Sequence, residues 1–190
     1  MMRRLMLSLL LPLCPFAAAG GGGPVPALTD PVAALNAADN LGGVSRVTAR
    51  AGYTVLRLEL RVPPQTLEVM FANEAARADQ AQQVRSVTLW AHVPQGQALS
   101  LEQVQALDRV TRELGAACLS QDTPKLTDVL RGLLGQPLPA PGVLQRFQND
   151  LTLEVAEARS WEGAGTDLQV SMTLPEGAVP QCAMPGELPS

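Results

Sequence analysis

The stretch Leu56-Arg57-Leu58-Glu59-Leu60-Arg61-Val62 decides how this chain folds. Every second residue is apolar and every residue between is charged. Successive side chains of a strand point to opposite faces, so the segment reads as a β-strand with one buried side and one wet side. Two later stretches repeat the pattern. Val87, Leu89, Ala91 and Val93 alternate with Ser86, Thr88, Trp90 and His92, with Pro94 closing the run, and Leu168, Val170, Met172 and Leu174 alternate with Gln169, Ser171 and Thr173. Strands with a polar face belong to antiparallel sheets that meet water on one side; strands of a parallel sheet are covered on both faces and read as unbroken apolar runs.

Working outward, Leu67, Val69 and Phe71 form the inward side of another strand after Pro63-Pro64. A weaker alternation over residues 46–51 precedes the first strand, with Ala51-Gly52 as the turn between them. Leu151, Leu153 and Val155 oppose Thr152 and Glu154, within a β region from Val143 to Ala158 that a turn at Gln148-Asn149-Asp150 divides.

Helices separate the two groups of strands. Ser100 with Gln103 makes a capping box, and Val104, Leu107, Val110, Leu114 and Cys118 recur at helical spacing behind it. Thr123-Pro124 repeats the start signal ahead of Leu126, Val129, Leu130, Leu133 and Leu134, and Gly135 is the stop. An earlier helix begins at Thr29-Asp30-Pro31, carries Val32, Leu35 and Leu41 on its apolar side and ends at Gly42-Gly43. The segment 73–83 is polar and reads as a loop or a short exposed helix, and the prolines at 137, 139 and 141 demand an extended connection. The expected fold is α+β: an antiparallel β-sheet with helices packed on one face.

The N-terminus sets the expected compartment. Arg3-Arg4, the apolar run from Leu5 to Phe16 and the small residues Ala17-Ala18-Ala19 follow the order of a secretory signal peptide, with cleavage between Ala19 and Gly20. The run is too short for a membrane anchor, which needs about 20 apolar residues. Leu13 is too large to precede a lipidated Cys14, and Met2 stands where a twin-arginine signal has serine or threonine. The expected organisation is a signal peptide over 1–19, a flexible lead over 20–28, a single domain over 29–174 and a proline-rich tail over 175–190. The exported chain would sit in the periplasm or cell envelope, or outside the cell, with no transmembrane anchor. Cys118 and Cys182 then remain, an even number in an oxidising compartment, and a disulfide between them would hold the tail against the body.

Composition narrows the function. Loss of Arg3 and Arg4 leaves 18 acidic against 12 basic side chains, a net charge of −6. An acidic chain whose arginines alternate with apolar or acidic neighbours has no electrostatic footprint in its sequence for nucleic acid or for anionic membranes. No metal is expected, since His92 is the only histidine and the cysteines lie far apart. The glycines at 20–23 follow no strand and make no phosphate cradle, and no cofactor is expected. Nucleophilic catalysis would need His92 with a serine that nothing marks out, such as Ser86 or Ser171, and the strand carboxylates Glu59, Glu68 and Glu154 read as solvated acids.

What stands out is Trp90 with His92. By alternation both lie on the polar face, alongside Arg57, Arg61, Met70 and Thr88, and tryptophan flanked by arginine is the composition of a protein-binding hot spot. The plainer alternative has the Trp90 ring shielding the sheet. Trp161, in a hairpin turn, poses the same choice. The expectation is a non-catalytic binding domain acting on a protein partner. The alternatives are a carrier holding a lipid or small hydrophobic ligand between helices and sheet, and, with less support, a hydrolase.

Overall fold

The computed structural model describes residues 27–37, 41–73, 82–148, 150–158 and 163–186. The expected signal peptide with Cys14 and the Ala19–Gly20 bond, most of the expected lead, most of the polar segment after Asn73, and Trp161 lie outside the described residues.

Seven antiparallel strands form one sheet in the order β1-β2-β3-β4-β7-β6-β5. Strands β1 (Leu41–Arg50), β2 (Tyr53–Arg61), β3 (Pro64–Ala72) and β4 (Ser86–Pro94) form a first meander, and β5 (Gly142–Arg146), β6 (Leu151–Glu157) and β7 (Gly165–Thr173) form a second. The two meanders join through β4 and β7, which pair along their whole length from Ser86↔Thr173 to Pro94↔Gly165. Both central strands are among the three whose alternation is clearest in the sequence, the third being β2. The outer strands β1 and β5 carry register shifts, which blunt an exposed edge against further pairing.

Helices α2 (Leu101–Leu119) and α3 (Leu126–Val129) lie between the meanders in sequence, α1 (Pro31–Ala37) precedes the first, and all three sit on one side of the sheet. Helix α2 packs on β3, β4 and β7, while α1 and α3 pack against α2. Leu107, Val110 and Leu114 of α2 and Leu56, Leu58, Leu89 and Val170 of the sheet are wholly buried in one apolar cluster. Both reciprocal bonds of the capping box are present at the start of α2, Gln103 N–H to Ser100 Oγ and Ser100 N–H to Gln103 Oε1. Asp30 Oδ1 accepts from Val32 N–H at the start of α1. The α+β fold read from the alternation is the fold observed.

Three local expectations are corrected. Leu41, Gly42 and Gly43 do not end α1; they open β1, where Leu41 pairs with Leu60 and Gly43 with Glu59 across a bulge. Glycine at 42 eases this pairing, since a β-carbon there would come within 3.1 Å of the Glu59 carbonyl oxygen. Val62 does not continue the inward face of β2 but sits 63 % exposed in the turn to β3, which begins at Pro64 rather than after it. The helix expected from Leu126 to Leu134 is one short α-turn followed by a 3-10 turn, Arg131–Leu133, and Thr123 does not cap it. Its first amide, Leu126 N–H, donates instead to Asp108 Oδ1 of α2 at 2.6 Å.

Cys118, wholly buried at the end of α2, is bonded to Cys182. The tail around Cys182 adds backbone pairing on both sides. Thr29 N–H donates to Gln181 O and Ala183 N–H to Thr29 O, while Val84 N–H donates to Cys182 O. The disulfide therefore pins a short segment that itself joins the start of α1 to the lead of β4.

Candidate functional site

Alternation places one residue of each strand in a row across the face turned away from α2. Register then makes the row Ser45, Arg57, Glu68, Trp90, Gln169, Glu154 and Val143. Its members bond in sequence. Arg57 Nη2 donates to Glu68 Oε1 at 3.0 Å, Trp90 Nε1 to Gln169 Oε1 at 2.7 Å, and Gln169 Nε2 to Glu154 Oε1 at 2.5 Å and Ser171 Oγ at 3.0 Å. Glu68 is 5 % exposed at its side chain, so the Arg57 guanidinium offsets the cost of a carboxylate in a poorly solvated position.

Beyond this row the sheet splits. β3 pairs with β4 only from Glu68↔Trp90 to Ala72↔Ser86. Residues Pro64–Leu67 pair with β2 alone, and Ala91–Pro94 pair with β7 alone. Gln103 holds the gap open on the β4 side: its Nε2 donates to the His92 carbonyl at 2.8 Å, the bond a strand would otherwise supply. The capping-box residue thus has a second task that its position three after Ser100 does not announce.

The gap is a groove of about 650 Å³. Glu59, Pro64, Gln65, Thr66 and Glu68 line one wall; Trp90, His92, Pro94 and Asp167 line the other; Gln97, Ala98, Ser100 and Gln103 close the end. His92 Nδ1 donates to Asp167 Oδ1 at 2.8 Å, from directly opposite positions on β4 and β7. Asp167 is 2 % exposed and His92 17 %, so the buried carboxylate fixes the ring and leaves its other nitrogen without a hydrogen-bond partner among the described residues. The lining carries three carboxylates and no lysine or arginine.

Of the residues singled out by sequence, the groove brings together Trp90, which is half-buried, and His92. Arg57 stands behind Glu68 rather than in the wall. Met70 and Thr88 pair with each other one row away from Trp90, and Arg61 is exposed at the end of the β2–β3 hairpin, opposite Pro64. Asp167 and Gln103 were not foreseen as site residues. Asp167 precedes Leu168, so parity alone puts it on the polar face, but only the β4–β7 register sets it against His92.

Gly165 keeps this wall in place. A β-carbon there would lie 2.4 Å from the Val93 carbonyl oxygen and 2.8 Å from His92 Cε1. Replacing it with alanine should therefore push β7 off the end of β4 and displace the His92 ring, at a cost of about 2 kcal/mol. Thermal denaturation and the His92 ring resonances read this directly; an unchanged melting temperature with unmoved resonances would contradict the packing described.

Two arginines of α2, Arg109 and Arg112, belong to a different surface. Arg109, Arg112 and Arg131 meet Lys125 in a second groove, beside the β2–β3 turn. Near them on α2, burial raises the Glu113 carboxyl above its ordinary range, although Arg109 and Arg112 pull the other way.

No family model matches the chain, and neither the curated proteins nor the solved structures contain a significant match to it.

Proposed function

We propose that the chain is an exported, non-catalytic binding domain that takes an extended, basic segment of a protein partner into the groove between β3 and β4. The observation that carries this reading is the split sheet, with Trp90 and three carboxylates lining the gap and no lysine or arginine among its lining residues. An extended segment laid there meets the edge of β3 at Pro64–Leu67, and its lysines or arginines meet the exposed Glu59 carboxylate and the Trp90 ring. The disulfide and the lack, among the described residues, of a helix long and apolar enough to cross a membrane agree with export.

Two other readings draw less support. A carried lipid would have to lie between α2 and the sheet, where Leu107, Val110, Leu89 and Val170 are wholly buried against one another's cluster. A hydrolase would need a nucleophile beside His92, and among the described residues no hydroxyl or thiol bonds its second ring nitrogen.

Peptides of about ten residues with arginine at alternate positions match the strand period and test the reading. They should bind the disulfide-bonded chain, and the same peptides with glutamate should not. Trp90→Ala should weaken binding by about tenfold or more. Glu59→Lys, at an exposed position, should do so as well without altering the melt. Equal affinity for both peptide sets, or undiminished binding by the folded variants, would refute the groove as the site.

A further inference from the structure

The second groove lies between the β2–β3 turn, the outer side of α2, and α3 with its 3-10 turn, and encloses about 570 Å³. Four cations line it, Arg109, Arg112, Lys125 and Arg131, against two carboxylates, Asp108 and Asp128. This is a local excess of positive charge on a chain of net charge −4, and it includes the chain's one lysine.

The cations are positioned rather than scattered. Asp108 is 4 % exposed at its side chain and directs both oxygens inward, Oδ1 to Leu126 N–H and Oδ2 to Arg112 Nε and Nη2. Arg112 itself is 55 % exposed, so the rest of its guanidinium fork remains available to the groove. Arg109 Nη1 donates to the Val62 carbonyl at 2.9 Å, and Arg131 Nη2 to Asp128 Oδ1 at 2.6 Å. Three guanidinium groups are thus tethered through some of their N–H groups beside a lysine ammonium. Such forks match the oxygens of a phosphate, and their prior tethering lowers the entropy cost of binding one.

The lip adds a second feature. Val62 and Leu101, 63 % and 46 % exposed, are two of the four large exposed apolar side chains among the described residues, and both line this groove. Apolar contact beside an oxyanion site suits a phosphate attached to an apolar body.

We infer that the groove formed by Arg109, Arg112, Lys125 and Arg131 binds a phosphate group, free or as the headgroup of an amphiphile. The β2–β3 turn stands between this site and the acidic groove, with Val62 and Pro63 lining one and Pro64 and Gln65 the other. The two assignments are independent.

The test titrates the disulfide-bonded chain with inorganic pyrophosphate by calorimetry at low ionic strength. In parallel, it floats the chain with vesicles of phosphatidylglycerol and of phosphatidylcholine. Lys125→Gln and Arg131→Gln, both at exposed positions, should each weaken the interaction by about tenfold, and added salt should weaken it further. Trp90→Ala should leave it unchanged. Binding to pyrophosphate alone identifies a free phosphate ligand, and flotation only with phosphatidylglycerol identifies a headgroup. Failure to bind either probe overturns the inference, as does binding that survives the Lys125→Gln/Arg131→Gln double variant.

Discussion

Removing the Cys118–Cys182 bond should destabilise the fold by about 4 kcal/mol, because it frees a chain segment spanning 64 residues in sequence in the denatured ensemble. For a domain of this size that corresponds to a fall in melting temperature of about 8–16 °C. The tail's other holds are modest: Ala178 and Met184 pack partly buried against the core, and Pro180 and Pro185 are buried. Cys182 is wholly buried, but Val179 is 64 % exposed and the backbone bonds of the segment around Cys182 run to Thr29, Gln82, Val84 and Cys118, all outside the central strands. Without the bond, the tail and the start of α1 should open together while the β4–β7 core stays paired. Cys118→Ala/Cys182→Ala is the appropriate variant, since alanine brings no polar atom into these buried sites. Its melting curve, and limited proteolysis near the tail, should match those of the reduced wild-type chain. A melting temperature unaffected by reduction would show that the tail is held by packing alone.

What the sequence makes legible follows from the range over which each interaction acts. The strand alternation is local, and it places Leu56, Leu89 and Val170 in the core and Trp90 and His92 on the opposite face without knowledge of neighbours. The capping box at Ser100 is equally local, and both of its bonds are formed. The disulfide is legible from count, because Cys118 and Cys182 are the only cysteines after Cys14 and an exported chain would be expected to pair them. Gly42-Gly43 shows how a local signal is overridden. Glycine pairs do stop helices, but here Gly42 eases the approach of the Glu59 carbonyl of the adjoining strand, a contact set from outside the segment. The grooves are non-local in the same sense. His92 and Asp167 are 75 residues apart, and the split beyond Glu68 depends on where β3 stops pairing with β4, which alternation does not encode. The basic groove was hidden by the same distance effect: Arg109 and Arg112 share a helix, but Lys125 and Arg131 come from beyond its end, and cations spaced among other residues in sequence become neighbours when α3 folds back.

How α3 folds back is the matter of the second large prediction. The sequence assigns its start to Thr123; the structure assigns it to Asp108, which lies on another helix eighteen residues before the Leu126 N–H that it accepts from. The two assignments give opposite results on substitution. Asp108→Ala leaves the Leu126 N–H buried with no acceptor and should cost about 3 kcal/mol, the scale for a hydrogen bond to a charged group whose partner is left unsatisfied. The freed Arg112 is more than half exposed and adds little, since water replaces its partner. Asp108→Asn, with the amide oxygen kept toward Leu126, should recover part of the loss. Thr123→Val should change stability by no more than about 0.5 kcal/mol, or raise it, because the Thr123 hydroxyl is buried without a hydrogen-bond partner in the structure. Denaturant unfolding of the three variants decides between the assignments, and a large loss at Thr123 with none at Asp108 would invert the account. The consequence reaches the basic groove as well. Asp108 anchors the first amide of α3 and one arginine fork at once, so the residue that seats the helix also sets the spacing of Lys125 and Arg131 from Arg112. Loss of stability and loss of phosphate affinity should therefore appear together in Asp108→Ala. In Lys125→Gln they should separate, because that change removes charge from the groove and leaves the anchor in place.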